Sequence, residues 1–176
     1  SVKTRLGFNE VDLSWHELLL KRDIDMLTIH GRTKAQMSKV PADWEQIAEI
    51  RKLRDKISPK TLVVGNGDVM NRQQGLELAQ KHQVDGIMIG RGIFNDPFCF
   101  TDNSPWESLT KTERIALFRK QVELFASTWK QGERRFDTFK KFAKIYINDF
   151  NGASELRAKI MNTHSTEELL PLLVVK

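Results

Sequence analysis

Thr61-Leu62-Val63-Val64-Gly65-Asn66-Gly67-Asp68 and, beyond a polar helix-like segment, Gly86-Ile87-Met88-Ile89-Gly90-Arg91-Gly92 decide how this chain is read. Each is a short apolar run that breaks into glycine. Runs of this length, rich in Val and Ile and bounded by glycines, suit strands buried on both faces of a parallel sheet. Glycine at the C-terminal end of a strand lets backbone N–H groups approach a ligand closely, and phosphate is the usual ligand of such turns. Two consecutive turns of this kind form a compound anion site. In a β/α barrel the phosphate grip falls on the last two strands.

Working outward, Val2-Lys3-Thr4-Arg5-Leu6 alternates apolar with polar and ends at Gly7, a strand with Lys3 and Arg5 on one side. Met26-Leu27-Thr28-Ile29-His30 is a second strand and ends in Gly31-Arg32-Thr33. Between the strands lie helical patterns. Asp12 or Ser14 caps a helix carrying Leu13, Trp15, Leu18 and Leu19, and Asn71 caps one from about Arg72 to Lys81. From about Ala42 to Ile57, the apolar residues Trp44, Ile47, Ile50, Leu53 and Ile57 recur at spacings of three and four, one helical face. The strand ends Leu6, His30, Gly65 and Gly90 are 24, 35 and 25 residues apart, whereas a complete eight-fold barrel spends roughly 31 residues per unit. The alternation predicts an α/β part over residues 1–100, about four βα units forming the second half of a (β/α)8 TIM barrel.

After Asp96-Pro97 the pattern changes. Residues 101–109 form a polar linker, and Thr110-Lys111-Thr112-Glu113 is a capping box. Behind it Ile115, Phe118, Val122, Phe125 and Trp129 step by three and four, an amphipathic helix ending near Gly132. A second helix is expected from about Phe136 to Phe150, with shorter ones around Leu156–Ile160 and after Ser165-Thr166-Glu167-Glu168. Leu172–Val175 is the one β-like run. Residues 101–176 are therefore predicted to be all-α, a C-terminal helical bundle.

Composition bounds the function. The net charge is +5, and it is segregated: residues 1–108 hold 15 Lys+Arg against 15 Asp+Glu, while residues 109–176 hold 13 against 8. A neutral first part with a basic second part suggests a polyanionic partner for the second, or else a solvated lysine-rich surface. The single cysteine, Cys99, excludes an internal disulfide and a cysteine-based zinc site. No metal site is expected. No apolar run reaches the roughly 18–20 residues of a membrane span, and no signal peptide is visible, so a cytoplasmic protein with no membrane partner is expected. The chain opens on a strand-like run without Met, and the natural protein is expected to be longer.

Several residues stand out as site candidates, each with a plainer alternative. Asn66-Gly67-Asp68 either holds an anion or is a tight turn, and Arg91 between Gly90 and Gly92 is either a phosphate fork or a surface arginine. Together, on adjacent strands, the two motifs favour a phosphate-bearing ligand. His30 sits at the same strand ends or is structural. Lys3 meets an electron-rich ring or is solvated. His16, His82 and His164 look like surface residues, and Cys99 like a packing residue. Arg134, Arg135, Lys140, Lys141 and Lys144, with Phe136, Phe142 and Tyr146 interleaved, either contact a nucleic-acid backbone or form a solvated helix face.

Four of these stretches, in order, resemble the tRNA-dihydrouridine synthases: Val2-Lys3-Thr4-Arg5-Leu6-Gly7, Thr28-Ile29-His30-Gly31-Arg32-Thr33, Gly65-Asn66-Gly67-Asp68 and Met88-Ile89-Gly90-Arg91-Gly92. The tail, with Glu155-Leu156-Arg157, is most similar to the bacterial C-type branch. The resemblance implies a flavin-containing barrel followed by a tRNA-gripping helical domain, which reduces uridine in tRNA to 5,6-dihydrouridine with FMN and NADPH. It assigns Lys3 and His30 to the flavin, and Asn66, Gly67, Asp68, Gly90 and Arg91 to the FMN phosphate. Arg32 would lie near the uracil. A hydride would go to C6 of the uracil and a cysteine acid would protonate C5. That cysteine belongs to a Cys-Pro motif expected upstream of Ser1, so no catalytic residue is assigned within this chain. The expectation is a C-terminal fragment that is inactive alone, binds FMN poorly or not at all, and either dimerises through exposed half-barrel surfaces or is partly disordered. Competing readings are another FMN-binding TIM-barrel oxidoreductase, of dihydroorotate dehydrogenase or ene-reductase type, and a non-catalytic RNA-binding fragment.

Overall fold

The computed structural model describes residues 1–130 and 132–174. The chain divides into two compact units, Ser1–Ser104 and Pro105–Lys176.

In the first unit, strands β1 (Val2–Arg5), β2 (Met26–His30), β3 (Leu62–Asn66) and β4 (Gly86–Met88) form a parallel sheet in the order β1-β2-β3-β4. Helices α1 (Leu13–Leu20), α2 (Trp44–Ile57) and α3 (Arg72–His82) fall between successive strands. Each helix starts where a short polar side chain can satisfy a free amide. Asp12 accepts from Trp15 N–H, Asp43 from Gln46 N–H and Asn71 from Gln74 N–H. A two-residue period along the strands then separates the faces. Leu27, Ile29 and Val63 are fully buried with Leu20 of α1 and Ile47 and Ile50 of α2. Each such side chain contributes about 1.5–3 kcal/mol on burial. The residues between them, Lys3, Arg5, Thr28, His30 and Asn66, point to the other face.

At the start of β3 a polar clamp sets the strand. Arg54, 6% exposed, donates from Nη1 to the Thr61 carbonyl and to Asp85 Oδ2, and the same carboxylate oxygen accepts Val63 N–H at 2.7 Å.

Two histidines read as surface residues are in fact buried. His16 has its ring nitrogens 2.7 and 3.1 Å from the carbonyl oxygens of Asp12 and Arg5, and His82 packs beside Trp44 with ring centroids 5.7 Å apart. Imidazole has an apolar body, and a helix can turn it inward where carbonyls or an aromatic ring receive it. Cys99 is buried, and burial followed by the charge of Asp96 pushes its thiol pKa up.

The second unit is built from α4 (Lys111–Thr128), α5 (Phe136–Lys140), α6 (Ala143–Tyr146), α7 (Ala153–Met161), α8 (Thr166–Leu169) and a 3-10 turn at Leu170–Leu173. The capping box at Thr110 and Glu113 is present. The single helix expected over 136–150 is instead two short ones. Tighter bonds, Phe142 N–H to Phe139 O and Ile145 N–H to Phe142 O, interrupt the helical ladder there. Phe118 of α4 stacks on Phe139 and Tyr146 at 5.9 and 5.5 Å, and Phe125 stacks on Phe139 at 4.4 Å. The β-like run Leu172–Val175 opens in the 3-10 turn, and its last residue lies outside the described ones. Among the described residues no helix is long and apolar enough to cross a membrane.

Candidate functional site

Strand register builds the site. Arg5 pairs with His30, His30 with Asn66, and Asn66 with Met88. Neighbours in register share a face, so Arg5, His30 and Asn66 stand in one row at the C-terminal strand ends, with Lys3 two residues behind. A cavity of about 740 Å³ opens there. Lys3, His30, Arg32, Asn66, Gly67, Asp68, Gly90 and Arg91 all line it, joined by Arg5 and by Met37, Met70 and Phe94 among others.

The charges are arranged around one carboxylate. Asp68, in the left-handed backbone region at φ +56°, accepts from Arg32 Nη2 at 2.5 Å and from Ala42 N–H at 2.9 Å. Arg91 Nη2 lies 3.6 Å from its other oxygen. Burial pushes the Asp68 carboxyl up, but the Arg32 and Ala42 bonds and the charges of Arg32 and Arg91 outweigh it and hold the pKa below the usual range. Arg32, 3% exposed, also donates from Nε to the Val40 carbonyl at 2.5 Å. Its guanidinium is thus an internal brace between the turns after β2 and β3.

Two basic groups of the cavity have lowered pKa values. Burial and the neighbouring Arg5 lower the pKa of Lys3. His30 is lowered to about 4, first by burial and then by Arg5, Lys3 and Arg32, with Asp68 opposing. At neutral pH His30 is therefore an uncharged ring in a positively charged mouth.

The glycines have distinct roles. Gly67 adopts φ +131°, and a Cβ there would lie 2.6 Å from the Ala42 side chain and 3.1 Å from His30 Cδ2. A Cβ on Gly90 would meet no atom within 4 Å, so its backbone borders open space. The Asn66 amide nitrogen donates to the Met88 carbonyl at 2.8 Å and ties β3 to β4.

In the second unit, Arg134, Arg135, Lys141 and Lys144 are exposed, and Arg134 sits 5.2 Å from the centre of the Trp129 ring. Lys140 departs from that set. Its ammonium is buried, donates to the carbonyls of Met161 and Thr163 at 3.0 and 2.6 Å, and pairs with Asp137 at 3.0 Å. An ammonium held by two carbonyls and a carboxylate inside the unit has no donor left for an external phosphate.

Two residues of the cavity end carry more than their sequence signal indicates. Arg5 lines the cavity while donating to the Thr33 carbonyl at 2.9 Å, and the alternation of β1 already put it on the side of Lys3. Trp44 reads only as a core residue of α2, yet its indole N–H reaches the Gly67 carbonyl. Among the described residues no group of three or more His, Cys, Asp or Glu could hold a metal ion.

Comparison with known proteins gives a consistent result. The family model described as Dihydrouridine synthase (Dus) matches residues 1–176. A probable tRNA-dihydrouridine synthase 2 of Bacillus subtilis is 51% identical over 176 residues, covering 98% of this chain and 53% of that protein. Probable tRNA-dihydrouridine synthases of Staphylococcus epidermidis and Staphylococcus aureus are 48% and 47% identical, with the same coverage. The chain spans about half the length of the curated relatives it matches.

Proposed function

The chain belongs to the dihydrouridine synthase family, and from that premise we propose that it is part of an FMN-dependent enzyme that reduces uridine in tRNA to 5,6-dihydrouridine with electrons from NADPH. Family membership sets aside the dihydroorotate dehydrogenases and ene-reductases. In this reading residues 1–100 are the second half of a flavin-binding TIM barrel, and residues 101–176 form a tRNA-binding helical bundle.

The observation that carries the proposal is the cavity at the strand ends. Lys3, Arg5, Arg32 and Arg91 line it against one carboxylate, Asp68, already bridged to Arg32 and close to Arg91. Such a donor set fits a ligand that joins an anionic group to a polar ring. FMN, when bound, would supply the hydride chemistry. Arg91 and the open backbone at Gly90 would hold its phosphate, with the Asn66–Asp68 turn closing that end. Asp68 keeps Arg91 within reach rather than meeting the phosphate itself, since two anions repel. Lys3 and His30 would face the ring system. Arg134, Arg135, Lys141 and Lys144 are assigned to tRNA phosphates. Cys99 is buried and is not among the residues that line the cavity, so it is not assigned as the acid, and these 176 residues alone are assigned no reductase activity. The sheet's edge strands β1 and β4 are proposed to drive self-association of this chain alone, read by light scattering.

The test is genetic and chemical. Disrupting the gene that encodes these residues should remove dihydrouridine from one or more tRNA positions, read by nucleoside mass spectrometry, and the intact gene should restore it. Unchanged dihydrouridine at every position would overturn the proposal.

A further inference from the structure

Arg32 Nη1 lies 3.3 Å from His30 Nε2. A guanidinium can only donate, so Nε2 must accept and must carry no proton. Arg32 has little freedom to leave this arrangement. It is 3% exposed, its Nε is bound to Val40 O, and its Nη2 is bound to Asp68. The same edge of the ring faces Gly67, where an added Cβ would lie 3.1 Å from Cδ2 and 3.5 Å from Nε2. Nδ1, by contrast, makes no hydrogen bond among the described residues and is not among the sealed, unpartnered polar atoms. His30 itself lines the cavity.

We propose that Arg32 fixes His30 in the tautomer that carries its proton on Nδ1, so that His30 is a neutral hydrogen-bond donor to an acceptor atom in the cavity. Asp68 acts through Arg32, which makes both of them positioning residues. The charges around the ring agree: Arg5 and Lys3 on β1 and Arg32 on the turn after β2 disfavour an imidazolium, and Asp68 alone favours it. A bare Nε2 engaged by Arg32 and a protonated Nδ1 leave His30 no free basic nitrogen. It recognises a carbonyl, ring-nitrogen or phosphate oxygen acceptor and does not act as a general base. The identity of that acceptor as part of a flavin rests on the functional reading above; the tautomer does not.

Long-range proton–nitrogen NMR of the 176-residue chain carrying 15N-histidine tests this at pH 7, with His30 assigned by the signals that disappear in His30→Gln. The expected spectrum shows a protonated Nδ1 and a bare Nε2. In Arg32→Met the ratio of Nδ1–H to Nε2–H should fall about tenfold or more, as expected for loss of a charged hydrogen-bond donor. Unchanged circular dichroism and His16 signals would show that the fold persists. A wild-type ring protonated on Nε2, or charged at pH 7, overturns the proposal. So does a folded Arg32→Met chain that keeps the wild-type ratio. Should Arg32→Met fail to fold, Asp68→Asn, which loosens Arg32 without removing it, should shift the ratio in the same direction; no shift overturns the proposal. Failure of the full-length protein to bind FMN would count against the flavin reading and leave the tautomer standing.

Discussion

Trp44 donates its indole N–H to the carbonyl oxygen of Gly67 at 3.2 Å, and its ring occupies the space where a side chain on Gly65 would lie. The start of α2 is thereby fixed to the turn that borders the cavity. Trp44→Phe keeps most of the bulk and loses the bond, and should cost about 1–2 kcal/mol. Gly65→Ala puts a methyl 2.3 Å from the Trp44 ring and should cost about 1–3 kcal/mol. Urea denaturation midpoints check both, and an unchanged midpoint for Gly65→Ala would contradict the packing.

Arg91 is the exposed cation nearest Asp68 and the proposed phosphate contact. In the full-length protein, replacing it with Gln should weaken FMN binding about tenfold, equivalent to about 1.4 kcal/mol, while leaving riboflavin binding nearly unchanged. Flavin fluorescence titration of the two ligands measures the contrast. Equal weakening for both would place Arg91 away from the phosphate end.

Lys140 and its neighbours should separate stability from RNA binding. Lys140→Met leaves two carbonyls and Asp137 without their cation, and should cost about 2–4 kcal/mol. Lys141→Glu with Lys144→Glu should leave the denaturation midpoint within about 0.5 kcal/mol but weaken tRNA binding. It should also flatten the dependence of log K on log salt, by about 0.7–0.9 for each tRNA phosphate no longer neutralised. Filter binding across a salt series gives both quantities. An unaltered slope would remove these two lysines from the interface.

Acid should destabilise the first unit through its histidines. His30 titrates near 4 in the folded chain against an ordinary 6.5, and burial lowers His16 as well. A depressed folded pKa means the unfolded chain binds the proton first. The stability is therefore full above pH 6.5 and is lost as pH falls toward 4. For the partly exposed His30 the loss is on the order of 1 kcal/mol after allowing for solvent screening. Denaturation midpoints from pH 7 to 4.5 should fall less steeply in His30→Gln than in the wild type, and parallel curves would contradict the shift.

The parallel sheet was legible because β2, β3 and β4 lie in short apolar runs that break into small or polar residues and β1 alternates apolar with polar, patterns that survive without knowledge of the partner strands. The cavity residues followed from position, since His30, Gly67 and Arg91 each close a strand or open the turn after it and Lys3 shares a face of β1 with Arg5. Their division of labour did not. Arg32 and Asp68 read from their motifs as ligand contacts and do line the cavity, but the motifs do not show the bonds to Val40, to Ala42 and to each other that also make them a brace. Lys140 misled for the same reason: a lysine inside a basic run reads as exposed, and only the carbonyls ending α7, more than twenty residues further on, draw it in. The stretch 136–150 broke into two helices because aromatic stacking on α4 is a tertiary term that local periodicity does not contain.

The clamp of Arg54 and Asp85 has a consequence for how such a protein can change over time. Asp85 holds the Val63 amide while Arg54 holds the Thr61 carbonyl, so β3 is seated from the end remote from the cavity. The turns at the other end inherit a strand whose register they did not have to establish. Residues there can be exchanged, lengthened or adapted to a different ligand while the sheet beneath them keeps its alignment. That is a physical basis for evolvability, lodged in two side chains that never approach the ligand.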